Sequence, residues 1–249
     1  MKQILTFGLQ GNNYLHRKQY EYKGNDIAKI IIYNKILNQR NALANIRKKT
    51  EYVNEGIDIL DSYLEKIKNT EKLEKDSLLG IEGNAAKVYF PRMFDNVNWK
   101  SRKPRIKFDF INSLLDIGYT ILFNFIEAIL RVYDFDVYEG VFHTSFYMRK
   151  SLVCDLMEPF RPIIDMKIRK GINLKQFKKD DFILVNNQWQ LEYKNSALYS
   201  TLFMNELLEN KGAIFLYFRS YYRTFMKRMD TFSQFPIIDI SKNKVLLYE

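Results

Sequence analysis

The sequence predicts a mainly α-helical domain that carries one short β-hairpin and one isolated strand near its N-terminus. Three observations support this fold class. The 249 residues include only 5 prolines and 10 glycines, so long stretches lack the residues that interrupt helices. Apolar residues recur at helical spacing over several of these stretches. Residues 182–193, FILVNNQWQLEY, place two short β-like runs around a polar turn, which indicates a hairpin.

The N-terminal part of the chain contains one strand-like segment and two helical segments. Residues 2–9, KQILTFGL, are apolar and β-compatible, and they form the isolated strand of the prediction. Residues 26–49 carry an amphipathic pattern that ends in basic side chains, which suits a helix C-terminus. Residues 52–68 follow almost immediately with a second helical pattern. We therefore expect an antiparallel helical hairpin here.

The third predicted helix begins near Asp76, ends around Pro91 and contains two glycines, Gly80 and Gly83. Each glycine inside a helix lowers its stability by about 1 kcal/mol relative to alanine. Their position on both sides of Glu82 therefore indicates a close approach of backbone, of a substrate or of another helix.

The fourth predicted helix spans residues 109–133 and is the most apolar part of the chain. It is long enough to cross a bilayer, but four polar residues interrupt it. They are Asn112, Asp116, Asn124 and Glu127. Because such groups are costly in lipid, we expect a core helix of a soluble protein and no membrane partner.

The C-terminal half begins with a break at residues 133–140 and a turn around residues 144–150. Ser151 is a suitable N-cap for the helix that follows. After the hairpin, one long final helix is predicted from Asn195 to Met229. The chain is thus divided into an N-terminal remnant (1–24), a helical domain (25–240) and a C-terminal tail (241–249).

The composition favours a polyanionic partner and a reducing compartment. With 39 Lys and Arg against 29 Asp and Glu, the formal net charge is +10. Such an excess is typical of proteins that bind nucleic acid or an acidic membrane surface. Cys154 is the single cysteine, so an internal disulfide is excluded and a cytosolic location is expected. The start of the chain lacks a signal-peptide pattern.

Acidic residues near the middle of the chain are the candidates for chemistry. Asp155 and Glu158 lie three apart, a spacing that costs about 0.2–0.5 kcal/mol on an exposed helix unless a positive group answers them. That group is either a metal ion, a basic ligand patch or simply Arg161. On one unbroken helix, His143 would lie about 22 Å from Glu158, so the two share a site only if the chain turns between them.

The small number of histidines limits which metals are possible. His16 and His143 are the 2 histidines of the chain, which excludes zinc sites of the three-histidine or Cys/His type. Oxygen-rich sites for magnesium or manganese stay open. Taken singly, Glu82 or His143 is more often a structural residue than a ligand.

Two basic segments stand out: residues 99–108, which Trp99 and Phe108 bracket, and residues 161–179. Counter-ion release makes such clusters good phosphate-binding tracks, and aromatic side chains can stack on unpaired bases. The alternative is a solvated basic face without a partner. The DNA-binding candidates are Lys100, Arg102, Lys103, Arg105, Arg161, Lys167, Arg169 and Lys170.

Four motifs in order, GIEGNAAKVYF, NSLLDIGYTIL, GVFHT and SLVCDLMEPFRP, resemble the catalytic domain of the CRISPR adaptation integrases. The stretches HRKQYEY and AKIIIYNKILNQRNAL also resemble the first helical segment of that family. The resemblance implies that Glu82, His143 and Glu158 are metal ligands and that Asp155 is a further catalytic acid beside the metal. It also implies that Lys87 and Arg161 lie near DNA phosphates.

The resemblance implies an activity and a set of partners. A Mg²⁺- or Mn²⁺-dependent enzyme would transfer the 3′-hydroxyl ends of a prespacer into the double-stranded leader-repeat DNA of a CRISPR array, in the prokaryotic cytoplasm. The alternatives are a hydrolytic endonuclease and a non-catalytic DNA-binding scaffold. A homodimer or homotetramer is expected, because two target ends must be attacked. The usual companion of the family is a small ferredoxin-like protein, and compact forms are thought to work without it.

The N-terminus departs from the family pattern. Members usually begin with a β-rich domain, and only residues 2–9 resemble a part of it. We therefore expect either a short form, as in the type V mini-integrases, or a chain whose start has been lost.

Overall fold

The computed structural model describes residues 12–22, 25–97, 99, 101–103, 106–143, 147–226, 235–242 and 244–247. Within these ranges the chain is mainly α-helical, as predicted. The helices are α1 (Asn13–Glu21), α2 (Asp26–Ala44), α3 (Glu51–Asn69), α4 (Lys75–Met93), α5 (Phe110–Val132), α6 (Ser151–Leu156), α7 (Arg161–Asn173), α8 (Ser196–Glu209) and α9 (Lys211–Met226). The strands are β1 (Phe182–Val185), β2 (Gln188–Leu191), β3 (Pro236–Asp239) and β4 (Lys244–Leu247).

The helices predicted from periodicity are present, with shifted ends. α2 stops at Ala44, before the predicted basic turn, and Lys49 reaches back to donate hydrogen bonds to the carbonyls of Ala44 and Ile46. α4 continues two residues past Pro91. α6 begins at Ser151, so the N-cap position falls on Lys150 instead. The predicted N-terminal strand at 2–9 lies outside the described residues.

The single long helix predicted from Asn195 to Met229 is wrong, because the chain breaks at Asn210 into α8 and α9. The Asn210 side chain donates to the Glu206 carbonyl at 2.8 Å, which ends α8. The Asn210 carbonyl accepts from the Ile214 amide at 3.1 Å, which starts α9. One asparagine therefore serves both helix ends.

The β-hairpin predicted at residues 182–193 is confirmed, since β1 and β2 pair antiparallel with Val185 opposite Gln188. Asn186 and Asn187 both have positive φ angles, 49° and 60°, as the tight two-residue turn requires. A second antiparallel sheet, β3 with β4, was not predicted. The domain boundaries at residues 25 and 241 stay predictions.

α2 is the central helix of the described structure. It packs against α3, α4, α6, α7, β3 and the short turn Glu158–Phe160. Its isoleucines are buried on almost all sides, as expected for a helix surrounded by protein. Four polar residues are buried with them: Asn34, Lys35, Asn38 and Gln39.

Two of these polar residues tie distant parts of the chain to α2. The Asn34 side chain donates to the Ile238 carbonyl at 2.7 Å and accepts from the Ile238 amide at 3.0 Å, which fixes β3. The Asn38 side chain accepts from the Ile240 amide and donates to the Pro159 carbonyl at 2.8 Å. Asn38 therefore positions the turn that begins at Glu158.

α5 is the single helix in the described ranges that is long and apolar enough to cross a membrane. Half of its most apolar window is buried, and it packs against α6, α7, α8 and β2. The polar residue Asn112 is fully buried and hydrogen-bonded within the fold. These features are those of a core helix, and a single such segment is weak evidence for a span.

We expect Asn34→Ala to weaken the fold by about 2–4 kcal/mol, because the buried N–H and C=O groups of Ile238 each lose a partner. Urea denaturation measures the change, and hydrogen exchange at the Ile238 amide locates it. Asn54→Ala, on the exposed face of α3, is the matched control and should stay within about 0.5 kcal/mol. Equal stabilities for the two variants would contradict the role given to Asn34.

Candidate functional site

An open cleft of about 1340 Å³ lies beside α2, between α4, α5 and the segments that flank α6. Glu82, His143 and Glu158, which are distant in sequence, all line it. His143 and Glu158 do not share one unbroken helix, because residues 141–143 and 147–150 are not helical and α6 begins at Ser151. Residues 144–146 of the predicted turn lie outside the described residues. The structure therefore brings the three candidate ligands to one cleft.

Lys35 joins two of these acids. Its ammonium nitrogen Nζ lies 2.5 Å from Glu82 Oε1 and 2.6 Å from Glu158 Oε2. The other oxygen of Glu158 accepts from Arg161 Nε at 2.9 Å. Lys35 and Glu158 are nearly inaccessible to solvent, with 10% and 5% of their side chains exposed. Two carboxylates and two cations thus form one buried charge cluster.

Electrostatics keep these groups ionised. Burial by itself raises the pKa of the Glu158 carboxyl, but Arg161 and Lys35 outweigh burial and lower this pKa to about 2. Burial lowers the pKa of Lys35, and the carboxylates of Glu158 and Glu82 outweigh it, so the net pKa is raised. The cluster therefore stays charged near neutral pH.

Asp155 organises the loop that carries His143. One carboxylate oxygen accepts from the backbone amides of Val141 and Phe142 at 2.7 and 2.9 Å. The other oxygen accepts from the His143 amide at 3.0 Å and contacts His143 Nδ1. Asp155 itself is fully buried. With Nδ1 engaged, the imidazole has only Nε2 left to bind a ligand in the cleft.

Gly140 permits this close approach. A Cβ added at Gly140 would lie 2.8 Å from an Asp155 oxygen and 2.7 Å from the Ser151 Cβ. The loop is also supported from the N-terminal side, because the Gln19 side chain on α1 exchanges two hydrogen bonds with the Asp136 backbone. A backbone without regular structure is thus held at several points.

The donor set of the cleft fits a hard divalent cation. It offers two carboxylates and one imidazole whose second nitrogen is held by a carboxylate, an arrangement common around metal-bound histidines. Glu158 Oε2 is buried and lies 2.6 Å from the ammonium of Lys35, so a cation already occupies the position beside this oxygen. Within that same part, no three His, Cys, Asp or Glu side chains yet surround one point. The ligand assignment stays a prediction.

The predicted basic residues of the 99–108 segment have different surroundings. Arg102 lines the cleft and makes an ion pair with Asp116 at 2.6 Å. Asn112 holds this segment through the Lys103 amide, at 2.8 Å, and through the Ser101 carbonyl. The exposed Lys103 side chain lies over the Phe108 ring. Lys100 and Arg105 lie outside the described residues.

The basic residues after residue 160 also differ in where they lie, since some line the cleft and others do not. Arg161 lines the cleft, and its guanidinium lies 4.4 Å from the centre of the Tyr119 ring. Arg169 instead donates to the Met93 carbonyl and to Asp95, which ties α7 to the end of α4. Lys167 lies 3.5 Å from Glu206 and Lys170 is exposed. Their assignments to DNA stay predictions, and Arg169 has a structural role in any case.

Two expectations about the surroundings of the site change. Trp99 packs on Phe90 and Phe94 and donates to Asp109, so its ring is not free to stack on a base. A Cβ at Gly80 or at Gly83 would meet no described atom within 4 Å. Within the described structure, neither a backbone segment nor another helix packs closely against these two glycines. The prediction that a substrate approaches them stays a prediction.

Sequence reasoning missed three residues that line the cleft: Lys35, Arg149 and Gln39. A partial signal for Lys35 was available in the run AKIIIYNKIL, because a lysine that is buried among isoleucines needs carboxylate partners. The signal does not single out Lys35, since Lys29 of the same run is half-buried and donates to the Thr70 carbonyl. Exposed Lys87, which was predicted, lines the cleft as well.

Comparison with protein families and curated proteins yields one consistent set of relatives. The family described as CRISPR associated protein Cas1 matches residues 3–205. CRISPR-associated endonuclease Cas1 4 of Methanospirillum hungatei JF-1 is 34% identical over 143 residues, which are 54% of this chain and 40% of that protein. CRISPR-associated endonuclease Cas1 of Leptospira interrogans is 33% identical over 170 residues, which are 64% and 66%. The chain spans less than two thirds of either relative.

Solved structures share the fold. A casposase bound to an integration product superposes with a TM-score of 0.73 at 22% identity, covering 88% of this chain and 67% of that one. A partial Cas6-RT-Cas1–Cas2 complex gives a TM-score of 0.77 at 22% identity, covering 90% and 73%. At such identities the likeness shows the fold alone.

We expect Asp155→Asn to destabilise the protein by about 2–4 kcal/mol, because an amide cannot accept from all three backbone N–H groups of the loop. Hydrogen exchange at the amides of Val141, Phe142 and His143 should accelerate. Asp61→Asn, which affects a partly exposed pair with Arg40, is the control and should cost at most about 1 kcal/mol. Unchanged protection of the three amides would contradict the role of Asp155.

We expect acid to weaken the fold through Glu158. Because its pKa is lowered from 4.5 to about 2, its stabilising contribution is complete above pH 4.5 and is lost as the pH falls towards 2. Glu158→Gln removes this contribution, so the wild type should lose more unfolding free energy than the variant between about pH 6 and about pH 3. Urea denaturation at both pH values measures the difference, and parallel losses would contradict the expectation.

Proposed function

Because this chain belongs to the family of the CRISPR associated protein Cas1, we propose that it is a metal-dependent DNA integrase of CRISPR adaptation. It would join the 3′-hydroxyl ends of a prespacer to the phosphodiester backbone of a CRISPR repeat. One observation carries this proposal: Glu82, His143 and Glu158 come from three separate segments and line one cleft. The casposase that was solved bound to an integration product supports the proposal through a shared fold.

The residues that would hold Mg²⁺ or Mn²⁺ are Glu82, His143 and Glu158. Such an ion, when bound, supplies Lewis-acid stabilisation of the charge that develops on the attacked phosphate and on the leaving oxygen. The chain itself supplies orientation. Asp155 holds Nδ1 and the backbone of His143, which keeps that side chain at the edge of the cleft.

Cationic side chains around the cleft would place the DNA. Lys87, Lys107, Arg149 and Arg161 line it, and they offer charge-assisted contacts to phosphates. Such contacts fix position without reading bases, so repeat recognition would also depend on DNA shape and bending. In-line placement of the hydroxyl and the phosphate supplies a large part of the rate.

The assembly follows from the reaction. Two ends of a prespacer must be joined at two positions of the repeat, so one cleft is insufficient and a homodimer or homotetramer is proposed. Double-stranded prespacer and leader-repeat DNA are the proposed partners, in the cytoplasm of a prokaryote. The partial Cas6-RT-Cas1–Cas2 complex, which shares this fold, supports a companion subunit as a further proposed partner.

A second candidate is hydrolysis of DNA at the same cleft, with water in place of the 3′-hydroxyl. The curated relatives are named endonucleases, which favours it. A non-catalytic scaffold would use the cationic cleft alone. The two enzymatic candidates differ in their products, since joined strands form only by transfer.

We expect Glu82→Ala to lower strand transfer of a labelled fragment into a repeat-bearing plasmid by roughly 100-fold or more, because a metal ion supplies several kcal/mol of charge stabilisation. EDTA should have the same effect on the wild type while simple DNA binding persists. A denaturing gel separates joined strands from cleaved ones.

Glu55→Ala is the matched control, because this acid is exposed on α3 and does not line the cleft. Its transfer activity should equal that of the wild type. Full transfer by Glu82→Ala would exclude the ligand assignment. Cleaved strands without joined strands would favour the endonuclease, and DNA binding without either product would favour the scaffold.

A further inference from the structure

Lys35 holds a position that the proposed reaction leaves unexplained. Its ammonium lies within 2.6 Å of one oxygen each from Glu82 and Glu158, which are two of the proposed metal ligands. These two oxygens therefore face the same small cation. A buried lysine with 10% of its side chain exposed is unusual unless it has such partners.

We propose that the ammonium of Lys35 is a resident counter-ion between Glu82 and Glu158, and that it competes with the divalent cation for these two carboxylates. Without the divalent ion, Lys35 keeps the acids together and prevents their repulsion. When the ion binds, Lys35 leaves the shared position. This inference rests on the proposed function, because it requires the metal to bind at these acids.

The distances support a shared position. The Nζ to oxygen distances of 2.5 and 2.6 Å fall within the calcium–oxygen range of about 2.3–2.6 Å and exceed the magnesium–oxygen range of about 2.0–2.1 Å. A magnesium ion bound to the same oxygens would draw them closer than the ammonium does. The oxygens then have no room to keep the ammonium between them.

The charges support competition. Glu82 and Glu158 are balanced by Lys35 and Arg161, so the cluster is already neutral. A divalent ion added to the same oxygens would place a third cation beside two others in a poorly hydrated site, where like charges repel strongly. Departure of Lys35 relieves this repulsion. Arg161 is held by the other oxygen of Glu158, Oε1, and by the Tyr119 ring, so it does not occupy the position between the two acids.

A place for the displaced ammonium exists on the same helix. Gln39 lies one turn after Lys35, on the same face of α2, and it also lines the cleft. Gln39 is 2% exposed, and its Oε1 accepts no hydrogen bond within the described ranges. A buried acceptor without a donor is costly, so Oε1 of Gln39 would gain a partner when Lys35 moves.

The test is a titration of Mn²⁺ against the full chain, with free Mn²⁺ counted by electron paramagnetic resonance. Lys35→Met removes the charge and keeps a side chain of similar length. Lys35→Arg keeps a cation. Lys87→Met removes a charge elsewhere in the cleft, where the described structure shows no ion pair for Lys87. Glu82→Gln shows whether Mn²⁺ binds at the proposed acids.

We expect Lys35→Met to bind Mn²⁺ roughly tenfold more tightly or better, the size of the effect that one adjacent charge has on the proton affinity of a carboxylate. Lys35→Arg should show no tightening, and Lys87→Met should stay within about twofold because its charge is exposed and screened. Metal-free Lys35→Met should melt at a lower temperature than the wild type, and Mn²⁺ should raise its melting temperature by more.

The outcomes distinguish a failure of the Lys35 competition from a failure of the proposed metal site. If Glu82→Gln loses Mn²⁺ but Lys35→Met binds it no more tightly than the wild type, the competition is overturned and the metal site stands. If the wild type binds no Mn²⁺, or Glu82→Gln binds it as tightly, then the proposed metal site falls and the competition with it.

A second measurement uses the unaltered protein, in case Lys35→Met fails to fold. Acetylation by an N-hydroxysuccinimide ester, followed by mass spectrometry, reports the accessibility of each lysine. Saturating Mn²⁺ should increase the acetylation rate of Lys35 several-fold, because its amine is then released from two carboxylates and lies beside Gln39, which lines the open cleft, and it should leave the rate of Lys87 nearly unchanged. Equal or slower acetylation of Lys35 with Mn²⁺ would overturn the competition.

Discussion

The buried polar face of α2 is the constraint on which the rest of the site depends. A lysine in the middle of a core helix is tolerated only if opposite charges reach it. Glu82 on α4 and Glu158, at the start of the turn Glu158–Phe160, provide these charges. Asn38 on the same face holds the carbonyl of Pro159, next to Glu158. One helix therefore sets the separation of the two acids and the backbone of the turn that carries one of them.

His143 depends on a different anchor, which is a carboxylate that holds backbone. Asp155 accepts three consecutive amides of the loop, much as the N-terminus of a helix is capped, and Gly140 leaves room for the contact. Segments without regular structure are usually the most variable in position, yet this one must place an imidazole accurately. The resemblance implied that Asp155 is a catalytic acid beside the metal. The hydrogen bonds that Asp155 accepts show that it positions His143.

The sequence predicted those features of the fold that depend on residues close together in the chain. Periodicity marked α2 to α5, and two asparagines marked the turn of the β1–β2 hairpin, because the positive φ angles it needs suit that residue. Features with distant causes were missed. The β3–β4 sheet is hydrogen-bonded to Asn34, more than 200 residues earlier. The pairing of Lys35 with Glu82 is equally non-local, so only the need for a partner was visible. The break at Asn210 was missed although its cause is local, since the side chain of Asn210 ends α8 and its backbone carbonyl starts α9.

The charged side chains that line the cleft relate the positions of Lys35 and Asp155 to the proposed function. Among the described residues that line it are six cations, Lys35, Lys87, Arg102, Lys107, Arg149 and Arg161, against four acids, Glu82, Asp116, Glu158 and Asp165. Burial raises the pKa of the Asp165 carboxyl to about 6, so even that acid carries its charge at a cost. Glu82, Glu158 and Asp116 are paired with cations inside the cleft. Asp165 accepts hydrogen bonds from the hydroxyls of Tyr89 and Tyr119, and Lys87 lies exposed at the edge of the cleft. An unpaired cationic surplus at the edge suits the proposed binding of DNA phosphates, and the pairing of acids within the cleft reduces their repulsion of such phosphates.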